Sequence, residues 1–341
     1  MKPSARQMTV LVLTLLLCLG LWAASVCVGS FPLSLSQIAQ ILRGEAPGTM
    51  EARVFWTLRL PRSLIGLLAG LGLGLGGGVY QLLFRDPLAS PDLTGVASGA
   101  SLGAACAIVL GAGSALAIMA GAFLLGMLSL VLVLLLVRAT RLDETGTYIL
   151  AGILVSSAAE AVLMCLKRMA DPEHELAAIE FWTMGSLASA TAQKLLLLAP
   201  AVGIPLVLLL LLRREITLLS LGDEDARSLG LSPGFWRGML LTLTTLMVAA
   251  LVSVTGVIAF AGLIAPHIAY LLLRSRSRGY LPLCALVGGC LLLAADLLAR
   301  SLSPGAELPL SIFTIFFSVP LLAGLLCRKR KAIYGTLDDR N

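Results

Sequence analysis

The sequence predicts an all-α, polytopic membrane bundle of about ten transmembrane helices. Three observations carry this: 58% of the residues are hydrophobic, only 13% are charged, and the apolar residues come in long blocks. A soluble chain needs roughly a quarter of its residues charged. Blocks of about 20 apolar residues match a hydrocarbon core ~30 Å thick. Aromatic residues make up 6% of the chain, and alternating ten-residue segments are lacking, which argues against a β-barrel. Helices then satisfy the backbone in lipid.

The first block, 8–28, follows Lys2 and Arg6 and has the look of a signal peptide. At about 21 residues it exceeds the usual apolar region of about 7–15, so it reads as a retained helix. Further spans fall at 63–83, 93–110, 114–138, 146–167, 193–213, 237–254, 257–273, 281–299 and 309–327. The uncharged stretch 238–273 would be ~54 Å long as one helix, too long for one crossing. It must turn back near Gly256.

Net charge is +6, but the charges sit between apolar blocks. With both termini in the cytoplasm, 17 of the 25 basic residues fall inside, as the positive-inside rule requires. Membrane lipid, not nucleic acid, is the partner this pattern implies. Gly66, Gly70, Gly74 and Gly78 recur every fourth residue on the second span, giving a smooth face for close helix packing. The seven cysteines show no Cys-x-x-Cys spacing and read as small buried hydrophobes, not metal ligands.

Catalytic patterns fail on context. Gly72, Gly74 and Gly77 fit a dinucleotide fingerprint but lie inside a span with no preceding strand. Ser101, between Gly99 and Gly103, lacks the strand-turn-helix of a nucleophile elbow. No lysine follows a glycine, so there is no P-loop, and any nucleotide that drives the protein is bound by another subunit. No catalytic residue, metal site or bound cofactor is expected on this chain.

The informative polar segment is 219–231, between the sixth and seventh spans. Gly222 and Gly230 bracket a short amphipathic helix with Asp223 and Glu224 at its positive end. It reads either as a solvated loop or as a rigid docking element for a cytoplasmic partner.

This segment resembles the coupling loop of permeases in the iron-siderophore, haem and vitamin B12 ABC importer family. Other pieces follow in family order: Leu58-Arg-Leu-Pro-Arg62; Gln81-Leu-Leu-Phe-Arg-Asp-Pro-Leu-Ala-Ser-Pro91 with Thr94-Gly-Val-Ala-Ser-Gly99; Leu150-Ala-Gly-Ile153; and Trp182-Thr-Met-Gly-Ser186. Gly262-Leu-Ile-Ala-Pro-His-Ile268, Asp296 with Arg300, and Glu307-Leu-Pro309 complete the series. Tyr270, Ser311 and Ser318 depart from the family pattern.

The resemblance implies a single permease domain over 1–341 in the cytoplasmic (inner) membrane of a bacterium. It implies a second permease copy, a cytoplasmic ABC ATPase dimer that carries the ATP and Mg, and an extracytoplasmic substrate-binding protein. The cargo implied is a metal chelate: ferric siderophore, haem or cobalamin. Leu221, Gly222, Asp223, Glu224, Ala226, Arg227, Leu229 and Gly230 would contact the ATPase. Arg59, Arg62 and Arg300 would face outward to dock the binding protein, although Arg300 could instead pair with Asp296 on its own helix. Thr145 and Gly146 match the inner gate, or Thr145 is an ordinary N-cap. Pro266 and His267 read as a packing or hinge element. Glu160 is a costly intramembrane carboxylate. It lines the outer vestibule or is neutralised by Lys167. The rival class is a secondary transporter or channel without an ATPase, which would need intramembrane charge relays.

Overall fold

A computed structural model describes residues 5–29, 31, 33–46, 48–111, 114–140, 145–302 and 307–338, with side chains to Gly324. The chain runs through α1 (Ala5–Cys27), the short α2 (Leu35–Leu42) and α3 (Met50–Val54), then a π-helical turn (Phe55–Arg59) that leads into α4 (Leu60–Leu83). After a 3₁₀ turn (Pro91–Thr94) come α5 (Val96–Val109), α6 (Ala115–Thr140), α7 (Thr145–Met169), α8 (Glu175–Thr183) and α9 (Ala192–Leu211). Two short helices follow, α10 (Arg213–Leu219) and α11 (Asp223–Ser228). The last four are α12 (Pro233–Thr255), α13 (Ala261–Leu273), α14 (Tyr280–Ser301) and α15 (Leu310–Asp338).

Among the described residues, seven helices are long and apolar enough to cross a membrane: α1, the run from Met50 to Leu83, α6, α7, α9, α12 and α14. Shorter apolar helices stand at α5, α13 and the first part of α15. Together these ten correspond in order to the ten predicted spans. The amphipathic α2 and the short α8 were not foreseen.

The bundle has an inside and an outside. In α4, α12 and α14 the most apolar stretch is 78%, 72% and 67% buried, against 22% in α1 and α9 and 28% in α7. Glycine brings two of the central helices, α4 and α14, into close contact. A Cβ at Gly70 would strike the backbone of Gly288, and one at Gly74 would strike the Cys284 carbonyl. The backbones of α4 and α14 therefore meet directly, and van der Waals contact replaces the hydrophobic drive that lipid removes.

The turn near Gly256 is present, and it is longer than the sequence suggested. Gly256 sits at φ 69°, ψ −172°, a conformation open chiefly to glycine, and Phe260 is left-handed at φ 63°. The eighth span thus begins at Ala261 rather than 257. The intervening backbone is satisfied from α15. Ala259 N–H donates to Ser311 Oγ (3.2 Å), Ser311 Oγ donates to the Val257 carbonyl (3.1 Å), and Thr314 Oγ1 donates to the Ala259 carbonyl (2.7 Å). Ser311, a departure from the family pattern, here pairs with two backbone groups of the non-helical stretch, and Thr314 with a third.

Candidate coupling surface and charged end clusters

At the cytoplasmic end, Gly222 (φ 136°) turns the chain from α10 into α11. Ala226 is fully buried beneath the segment, and the Leu231 N–H returns to the Ala226 carbonyl at 2.9 Å, past a left-handed Gly230 (φ 86°). Asp223 Oδ1 accepts from Arg237 Nη2 of α12 at 2.7 Å, with Arg85 Nη2 at 3.7 Å. One face is thereby fixed. The other is bare: Leu221, Leu229 and Phe235 are 55%, 57% and 67% exposed, and Glu224 and Arg227 are exposed beside them. Exposed apolar residues rimmed by charge mark an interaction surface.

Nearby, Thr145 and Gly146 form the first turn of α7, and a Cβ added at Gly146 would meet open space. Tyr148, one turn on, is buried, with the Arg237 guanidinium carbon 5.9 Å from its ring centroid and the Phe84 ring 6.2 Å away. The sequence brought only Asp223 and its neighbours to notice. Arg237 and Tyr148 were missed, because Arg237 reads in the sequence as one more inside-facing basic residue.

The outer arginines are arranged differently from the expectation. Arg59 is buried, donating to the carbonyls of Val28 (2.6 Å) and Phe31 (3.1 Å) just after α1. Arg62 holds Asp296 Oδ1 through Nε (3.0 Å) and Nη2 (2.8 Å), and its Nη1 pairs with Glu307. Arg300 Nη2 lies 2.9 Å from Asp296 Oδ2 and donates to Ser25 Oγ, also at 2.9 Å. The predicted outward-facing guanidinia are thus turned inward. The reason is Asp296, which is 1% exposed: a buried carboxylate is tolerated only with partners, and two of the arginines supply them.

Glu160 is exposed on α7 and accepts from Ser98 Oγ of α5 at 3.0 Å. Lys167 pairs with Glu180 of α8 instead, at 2.8 Å, so it is not the partner that neutralises Glu160. His267 sits after Pro266 within α13, its Nδ1 2.8 Å from the Leu263 carbonyl and 3.4 Å from Gln81 Nε2. Its ring is engaged by its own helix and by α4.

The model of the FecCD transport family matches residues 15–328. The chain belongs to the FecCD transport family. This FecCD chain is 35% identical over 335 residues to the molybdate import system permease protein MolB of Haemophilus influenzae, covering 97% of this chain and 98% of that one. It is also 35% identical to the vitamin B12 import system permease protein BtuC of Citrobacter koseri over 276 residues, 81% and 83% of the two chains. Among solved structures, one described as a metal-chelate type ABC transporter in an inward-facing conformation superposes with a TM-score of 0.82. The two are 33% identical, over 94% of this chain and 99% of that one. The FecCD chain is accordingly the permease subunit of an ABC importer, a multi-pass protein of the inner membrane. It is not itself an enzyme, since ATP hydrolysis belongs to a separate ATPase subunit.

Proposed function

We propose that this FecCD permease moves a metal chelate (a ferric siderophore, haem or cobalamin) into the cytoplasm. It does so as a homodimer, with an ATPase dimer below and a substrate-binding protein above. The observation that carries the reading is the one-sided anchoring at 219–231. Asp223 and Ala226 fix the segment to the bundle, while Leu221, Leu229 and Phe235 are left for a partner to cover. A segment held rigidly at one face transmits force from whatever binds the other.

The reading is tested by reconstituting the chain with the ATPase and binding protein encoded beside it and measuring ATP hydrolysis. Ferrichrome, haemin or cyanocobalamin is expected to stimulate the rate severalfold. Molybdate is the second reading, favoured by the near full-length likeness to MolB. Stimulation by molybdate and by none of the chelates overturns the chelate assignment.

A further inference from the structure

Arg237 lies near the cytoplasmic start of α12, yet its side chain is only 1% exposed. Burying a guanidinium is unfavourable unless its partners are well placed. Its described partners include groups from two different elements. Nη2 donates to Asp223, the first residue of α11. The guanidinium also lies 5.9 Å from the ring centroid of Tyr148, within cation–π range. Tyr148 is one turn into α7, two residues after Gly146.

The connection closes on itself by a second route. The Tyr148 ring lies 6.2 Å from that of Phe84, which precedes Arg85 at the end of α4, and Arg85 reaches back to Asp223 at 3.7 Å. Arg85 holds a left-handed backbone, φ 54°, that a non-glycine residue adopts only when its surroundings impose it. Asp223, Arg237, Tyr148, Phe84 and Arg85 thus form one ring of contacts. It joins α11, α12, α7 and the end of α4. A neutral packing residue at 237 would hold α12 in place equally well. A charge shared between α11 and α7 makes the position of one depend on the other.

We infer that Arg237 is the positioning residue that transmits movement of the 219–231 segment to the first turn of α7, so that ATPase closure is felt at Thr145 and Gly146. This rests on the proposed ATPase docking at 219–231 and adds the link from that surface to the gate.

The test uses the reconstituted transporter with its ATPase and binding protein, and as cargo whichever of ferrichrome, haemin and cyanocobalamin stimulates the wild-type complex. The readouts are the ATPase retained on purification and the cargo transported per ATP hydrolysed. Arg237→Met and Tyr148→Leu are each expected to retain the ATPase and to lower transport per ATP at least tenfold. The double variant should be no worse than the more severe single one, because both break one link. Arg237→Lys, which keeps the charge, should recover part of the loss. Wild-type transport per ATP in assembled Arg237→Met overturns the inference, as does a fully multiplicative loss in the double variant. If Arg237→Met does not assemble, Tyr148→Leu decides alone, and a wild-type ratio there also overturns it. A wild-type complex that shows no stimulation by any of the three chelates counts against the functional reading itself. That outcome is distinguishable, because failure of the inference leaves the wild-type complex coupled.

Discussion

At the outer end, Arg59, Arg62 and Arg300 are folded inward onto Asp296, Glu307 and the carbonyls that follow α1. At the cytoplasmic end, Arg237 is buried and Asp223 holds a segment whose other face stays bare. The outer cluster satisfies its charges within one chain and so ties α1, α4 and α14 together. The inner cluster satisfies one side only, leaving Leu221, Leu229 and Phe235 uncovered. Similar residues thus serve internal cohesion at one end and border an uncovered apolar face at the other. The exposure of the apolar neighbours tells the two ends apart, where the charged residues themselves do not.

The contrast predicts that substitutions in the outer cluster act on stability and those on the inner surface act on assembly. The largest effect should come from Asp296→Ala, which leaves Arg62 and Arg300 without their shared carboxylate. Breaking one side of a buried pair costs about 3–5 kcal/mol. Thermal melting of the detergent-purified permease should show a clear drop, and an unchanged midpoint would mean that water already screens the cluster.

Leu229→Glu should leave melting within about 0.5 kcal/mol of wild type, since Leu229 is more than half exposed. It should weaken ATPase binding by about 2 kcal/mol, a typical hot-spot loss, measured by titrating the ATPase onto permease in nanodiscs. An equal drop in melting would show that the segment belongs to the core.

A smaller effect is expected at the turn after α12. Ser311→Ala removes the acceptor for Ala259 N–H and the donor to the Val257 carbonyl. Leaving such groups unsatisfied costs about 1–3 kcal/mol each, moderated where water can enter. Hydrogen exchange at Ala259 should speed up while exchange in α4 stays slow. Protection unchanged at Ala259 would place its hydrogen bond elsewhere.

What the sequence revealed and what it hid follow the range of the interactions. Apolar blocks and the every-fourth-residue glycines are local patterns, and they placed the ten spans and the close face of α4. The i, i+4 pairing of Asp296 with Arg300 was visible for the same reason. The Arg62–Asp296 pair spans 234 residues, and no spacing rule reaches that far. Without it, Arg62 looked like a free outward charge. Ser311 was noticed as unusual, but its role depends on a turn more than 50 residues away. The short α2 had a readable signal that went unused: Ser34 and Gln37 form a capping box, with the Gln37 N–H donating to Ser34 Oγ and the Ser34 N–H to Gln37 Oε1.

Glu160 gives the smallest expected change and the most direct test of whether α7 faces the pathway. It stands exposed on α7, as Leu150, Ile153 and Met164 do, and its one described polar partner is Ser98 Oγ. Glu160→Gln keeps a carbonyl oxygen to accept that hydrogen bond, so melting should move by no more than about 0.5 kcal/mol. The negative charge disappears, and with it any attraction for a cationic group passing along α7. If Glu160 lines the route, initial uptake should change by about threefold at unchanged stability, and more at low salt than at high, because exposed charges are screened. Unchanged uptake and unchanged cargo preference would reduce Glu160 to a partner of Ser98, and would place the route along another face of α7.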